Sequence, residues 1–262
     1  MTNQDHWSAS NYAKHASFVP KLGSVILDML DPQPNEHVLD FGCGDGILTE
    51  KLATRCQKVT GIDASQDMIH SAIEQQKASN IGYHVVDGYD LDTWFNQQKL
   101  SHYDAVFSNA TLHWLKKDPV KAIRNIHQVL KPQGRFVAEM GGFMNVGEMH
   151  SALIAGLNKR GFDGQAISPW YFPSDEAYTK LLEENGFHVV EAQLVPRMTV
   201  LNTDIAGWIE TFGFEFLKPL ATEQERKQLA QEVQNYLQPC YQRQDGKWVV
   251  MYVRLRVIAT KN

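Results

Sequence analysis

Cysteine is scarce in this 262-residue chain: Cys43, Cys56 and Cys240 are its whole supply, and no two stand at CxxC spacing. So sparse and odd a set builds no disulfide framework and suits a reducing compartment. Ten histidines are scattered with no two of them three or four residues apart, and HExxH is missing, so no protein-held metal is expected. No uninterrupted apolar run approaches the ~20 residues that span a bilayer. The polar start MTNQDHWSAS lacks the hydrophobic stretch of a secretory signal. Lysine and arginine form no long run and the formal charge is −5, which leaves counterion release from duplex nucleic acid without a source. Together these absences predict a cytoplasmic protein that engages neither membrane nor nucleic acid.

What is present is an ordinary globular composition, 43% hydrophobic and 21% charged. A chain of this length can bury one substantial core, so residues 1–262 are expected to form a single elaborated domain. Phe18, Leu22, Val25, Ile26 and Met29 recur at helical spacing until Asp31-Pro32-Gln33-Pro34 ends them. Short apolar runs then predict strands at His37–Phe41, Lys58–Asp63, Ile81–Val86, Tyr103–Ser108, Arg135–Met140, Phe187–Val195 and Trp248–Thr260. Helices between them are signalled by N-caps at Ser65 and Ser174, Pro119 at a first turn, and stops at Lys131-Pro132-Gln133-Gly134 and Asn185-Gly186. Repeated β-α units need right-handed crossovers, which predicts an α/β fold: a doubly wound, mostly parallel seven-stranded sheet of the Rossmann-like kind. Segments 1–30, 141–173 and 200–245 are expected to form a helical lid over the ligand edge.

In such sheets ligands sit beyond the carboxyl ends of the strands, so the glycine turn after the first strand is where chemistry is expected. A dinucleotide loop would read G-x-G-x-x-G, but Ile47 stands where its third glycine belongs. The run Asp40-x-Gly42-x-Gly44-x-Gly46 instead resembles the first motif of the class I S-adenosylmethionine-dependent methyltransferases. That resemblance implies S-adenosylmethionine as cofactor. Asp40 would engage the ammonium of its amino-acid tail, indirectly or directly, beside Gly42, Gly44, Gly46 and the small side chain of Cys43. Asp63 ends the second strand, where an acid in nucleotide-binding α/β folds accepts from ribose hydroxyls; Ala64 and Met68 would lie beside it. Asp87 and Gly88 match the adenine contact, and Asn109 and Ala110 match the motif beside the methyl donor. The plainer alternatives are a tight turn for the glycines, a helix cap for Asp63 and a turn residue at Asp87.

The stretch SNATLHWLKKDPVKAIRNIHQVLKPQGRFVAEM is similar to the small-molecule branch of that family, particularly to trans-aconitate methyltransferases and the methyltransferase of biotin synthesis. By the same likeness Tyr12 and His15, in the N-terminal stretch, would close over cofactor and acceptor. The motifs of amino-methylating and cytosine-methylating DNA enzymes are missing, which again points away from nucleic acid. His113 could serve as a general base for a hydroxyl acceptor, or could simply be a packed loop histidine. Trp114, Trp170, Trp208 and Phe212 are candidates for the acceptor pocket or for lid core. The expected function is methyl transfer to a small-molecule acceptor, at a carboxylate or hydroxyl oxygen. The alternatives are a non-catalytic cofactor-binding or regulatory subunit of the same fold, and, more weakly, a nicotinamide-dependent oxidoreductase.

Overall fold

A computed structural model describes residues 24–262. Tyr12, His15 and most of the first expected lid segment therefore lie outside the described residues. From Ser24 on, the elements are α1 (Ser24–Leu30), β1 (His37–Phe41), α2 (Ile47–Ala53), β2 (Lys58–Asp63), α3 (Gln66–Gln75), β3 (Ile81–Val85), α4 (Leu91–Gln97), β4 (Tyr103–Asn109), α5 (Pro119–Val129) and β5 (Leu130–Gly141). There follow α6 (Gly147–Asn158), α7 (Gly164–Ile167), α8 (Asp175–Glu183), β6 (Phe187–Val200), α9 (Ile205–Phe212), α10 (Phe214–Leu217), α11 (Glu223–Tyr241) and β7 (Val249–Lys261).

The seven strands form one sheet in the order β3-β2-β1-β4-β5-β7-β6. β1 to β5 run parallel, and β7 enters antiparallel between β5 and β6. Strand order reverses between β1 and β4, so the crevice beyond their carboxyl ends is the fold's ligand position. Local chemistry sets the helix starts. The Ser65 hydroxyl accepts the amide of Met68 at 3.1 Å, and the Asp118 carboxylate accepts that of Lys121 at 2.9 Å ahead of Pro119. Each such cap contributes about 1 kcal/mol.

Both faces of the sheet are covered. On one, Leu39, Val106, Phe136 and Val257 pack with Leu91, Phe95, Ile126 and Leu182 from α4, α5 and α8. On the other, Val38, Val59, Phe107 and Val137 pack with Ile26, Leu30, Leu48 and Leu52 from α1 and α2. The last residues of the expected 1–30 lid thus belong to the sheet layer, because Ile26, Leu27 and Leu30 put a buried apolar stripe against the strands. Segments 141–173 and 200–245 supply α6, α7, α9, α10 and α11, whose apolar side chains meet in a third cluster with Trp248, Val250 and Tyr252. Two strand limits differ from expectation by more than one residue. β5 begins at Leu130, since the presumed helix stop at Lys131–Gly134 already runs as strand, with Leu130 paired to Tyr103 across a register shift. β6 continues to Val200 because β7 pairs with it without a break from Glu191 onward.

Candidate active site

Three glycines follow β1 in left-handed conformation, with φ of +77° at Gly42, +56° at Gly44 and +79° at Gly46. They do different work. A β-carbon on Gly42 would lie 2.1 Å from Thr111 Oγ1, and one on Gly46 would lie 2.4 Å from the Tyr83 hydroxyl. A β-carbon on Gly44 would meet nothing within 4 Å, since this residue opens onto a cradle at the strand tips. The amides of Gly42 and Cys43 donate to Ile62 O at 2.8 and 2.9 Å, which fastens the loop to the end of β2.

Asp63 closes that arrangement. Its carboxylate accepts the amide of Gly44 at 3.0 Å and that of Ser65 at 2.9 Å. A carboxylate offers about four lone-pair sites, more than these two amides use. Asp87 does serve as a turn acid, accepting the Tyr89 amide at 2.9 Å, and it also lies on the cradle wall. Of the residues expected here, Gly42, Gly44, Asp63, Ala64, Met68, Asp87, Gly88, Asn109 and Ala110 line one cavity. Phe41, Ile62, Val86, Thr111, Trp114 and Leu115 complete it.

Asp40, Cys43 and Gly46 are not among the residues that line that cavity. Asp40 is only 2% exposed and accepts the Thr49 hydroxyl at 2.7 Å. Burial, aided by the charge of Asp63 and opposed by the Thr49 bond, pushes its carboxyl up to about 7. Asp40 is placed to act on a ligand only through the loop above it. The Cys43 thiol is buried and its pKa is driven up by that burial, so it is inert packing near Gly61. Gly46 serves the turn and the N-terminus of α2.

A second, smaller chamber adjoins the cradle, and Ala110 and Trp114 belong to both walls. It gathers the expected His113, Trp170, Trp208 and Phe212, together with Asn145, Val146, Phe172, Tyr252 and Arg254. The rings interlock: Trp170 stacks on Phe172 with centroids 5.5 Å apart, and Trp208 donates from Nε1 to the Tyr252 hydroxyl at 2.6 Å. Two non-glycine residues of this wall are left-handed, Ala110 at φ +60° and Val146 at φ +46°. Such conformations cost on the order of 1–3 kcal/mol each and concentrate where a site needs a backbone held in place.

His113 is not the base that its position in the motif suggests. Its Nδ1 accepts the buried amide of Gly141 at 3.3 Å, which leaves the ring proton on Nε2. Burial, and then the charge of Arg254, holds its pKa well below the ordinary histidine value. The imidazole is therefore a neutral donor with no spare lone pair. Tyr252 is buried too, and its pKa is raised by that burial.

Arg254 and Tyr252 could have been noticed earlier. The run YVRLRV sets charges two apart inside an apolar strand, so one face of a central strand carries arginines. Thr111 and Asn145 gave no comparable signal. Among the described residues no three His, Cys, Asp or Glu side chains gather as metal ligands, and no helix is long and apolar enough to cross a membrane.

The cradle fits S-adenosylmethionine. Its loop leaves Gly44 without a side chain beneath a ligand tail, an acid stands at the tip of β2, and apolar Phe41, Ile62, Val86 and Leu115 can take a purine face. Comparison with known proteins agrees. Residues 39–138 match the family described as "Methyltransferase domain". An uncharacterized methyltransferase of Schizosaccharomyces pombe is 40% identical over 98% of this chain and 99% of its own length. The trans-aconitate 2-methyltransferase of Agrobacterium fabrum is 27% identical over 97% of this chain and 99% of its own. The magnesium protoporphyrin IX methyltransferase of Synechocystis, solved with S-adenosylhomocysteine, shares the fold at a TM-score of 0.52 and 16% identity, over 94% of this chain and 82% of that one. These likenesses set aside the nicotinamide and non-catalytic readings. A glycine bend tied to the acid of the next strand, on a sheet of this order and with kin of this name, places the chain among the class I S-adenosylmethionine-dependent methyltransferase enzymes.

Proposed function

We propose that the chain methylates a carboxylate oxygen of a small molecule held in the chamber, forming a methyl ester. The observation that carries this reading is that the chamber wall offers no general base among the described residues: His113 has its Nδ1 lone pair engaged by Gly141, and Tyr252 is buried with a raised pKa. A hydroxyl acceptor needs its proton removed, whereas a carboxylate is already ionised near neutral pH. The name of the Agrobacterium relative, a trans-aconitate methyltransferase, supports an acid as acceptor.

When bound, S-adenosylmethionine supplies an electrophilic methyl group on a sulfonium. Asp63, its carboxylate held by the Gly44 amide, would orient it, and the apolar wall formed by Ile62, Val86 and Leu115 would exclude water. Ala110 and Trp114 stand at the shared boundary and align the acceptor with the cradle. The cofactor would supply the methyl group and would leave as its neutral thioether, so a carboxylate held there needs no proton removed by His113 or Tyr252. Orientation and desolvation are the catalytic contributions of the protein.

The test is a turnover screen that reads S-adenosylhomocysteine release against small carboxylic acids, phenols and amines, with products identified by mass. Ester formation from acids is expected; turnover confined to phenols or amines overturns the reading.

A further inference from the structure

Among the described residues that wall the chamber, Arg254 is the one side chain bearing a fixed charge. It is 4% exposed, and its Nε has no hydrogen-bond partner. Its nearest counter-charge is Glu139 Oε1 at 3.8 Å, too far for a hydrogen bond. That carboxylate is already claimed: Arg256 Nε donates to Oε2 at 2.8 Å, and Arg197 lies 3.6 Å from Oε1. Three guanidiniums thus share one buried carboxylate. A buried cation so weakly compensated is costly unless something else pairs with it. The guanidinium sits 4.9 Å from the centroid of the Tyr252 ring, which helps hold its plane. Around it the chamber presents Trp170, Phe172, Trp208 and Phe212.

Resting on the ester-forming reading above, we infer that the chamber selects a monocarboxylate with an aromatic or otherwise apolar body, and that Arg254 is the residue that recognises its carboxylate. The planar guanidinium presents a donor fork that matches one carboxylate. It takes one oxygen and leaves the other turned toward Ala110 and the cradle. The body of the acid lies among the aromatic rings, where its burial supplies binding free energy. A polycarboxylate fits poorly, because its further charges would enter an aromatic wall that, among the described residues, offers no second cation. The acceptor class therefore differs from the polyanion that the Agrobacterium relative's name implies.

The experiment uses the full chain saturated with S-adenosylhomocysteine, and follows the tryptophan fluorescence of the chamber. Phenylacetate, phenylacetamide and trans-aconitate are titrated in turn. Phenylacetate is expected to bind at least about ten-fold more tightly than either of the others, a difference of about 1.4 kcal/mol. Arg254→Gln should abolish the preference for acid over amide, and Arg254→Lys should restore part of it, while cofactor affinity stays unchanged in both. Equal binding of acid and amide to the unsubstituted chain overturns the inference whether or not the variants fold. So does a preference that survives Arg254→Gln, tighter binding of trans-aconitate, or no saturable signal from any of the three. In the turnover screen, acids that are esterified equally well whatever their charge sink Arg254 selection but leave ester formation standing; turnover of phenols or amines alone sinks both.

Discussion

The Gly44 amide donates a 3.0 Å hydrogen bond to the carboxylate of Asp63, joining the loop after the first strand to the tip of the second. The bond ties two features nineteen residues apart in sequence into one surface. It also explains why an acid there serves twice, holding the loop's shape and keeping acceptor capacity turned to the ligand.

Replacing Asp63 with alanine removes both services. Hydrogen bonds to a charged group contribute about 1.5–3 kcal/mol each, so S-adenosylmethionine affinity should fall roughly ten- to a hundred-fold. Isothermal calorimetry measures this directly. An unchanged dissociation constant would confine Asp63 to the loop.

The two neighbouring glycines should separate folding from binding. Gly42→Ala forces a β-carbon to within 2.1 Å of Thr111 Oγ1 on a left-handed backbone, so the cradle wall must shift and thermal stability should drop sharply. Gly44→Ala meets no neighbour and bears only the left-handed penalty of about 1–2 kcal/mol. It should remain folded while its methyl group intrudes on the ligand. Melting temperatures alongside calorimetry distinguish the two; a Gly44→Ala protein that binds cofactor normally contradicts the assigned direction.

Asp40 makes the cofactor-free protein sensitive to pH in a stated direction. Its folded pKa of about 7 exceeds the ordinary 3.8, so between those values the native state binds more protons than the unfolded chain. Stability from this group is therefore present at low pH and is lost as pH rises through the window from about 4 to about 7. Asp40→Asn, still able to accept from Thr49, should stabilise the apo-protein at about pH 8 by a few kcal/mol, with the gain shrinking toward about pH 4. Denaturant midpoints across that range would show a flat difference if the carboxyl were ionised throughout.

His113→Asn tests the missing base. The asparagine oxygen can accept the Gly141 amide in place of Nδ1, so the loop should hold. Removing a general base costs about 10²–10⁴ in rate; here kcat should change less than about ten-fold. Any rate inflection between about pH 6.5, where an ordinary histidine titrates, and about 7, where Asp40 does, should persist in His113→Asn and be lost in Asp40→Asn. An inflection lost in His113→Asn would return His113 to a proton-transfer role.

Much of the fold and half of the site were legible in the residues alone, for a physical reason. Strand and helix periods, caps at Ser65 and Ser174, and the glycine bend are dictated by sterics and hydrogen bonds between near neighbours. A parallel β-α order then forces the strand tips, with Asp63, Asp87 and Asn109, to one edge. Tertiary structure alone decided the rest. That β7 inserts antiparallel between β5 and β6 sets Arg254 opposite Gly141, more than a hundred positions away, and so gives the second chamber its charge. The depth of Asp40, the engaged nitrogen of His113 and the separate tasks of Gly42, Gly44 and Gly46 likewise depend on which distant atoms arrive beside them. Residue order carries a side chain's chemistry; whether that side chain is buried, paired or open to a ligand is set by packing between segments remote along the chain.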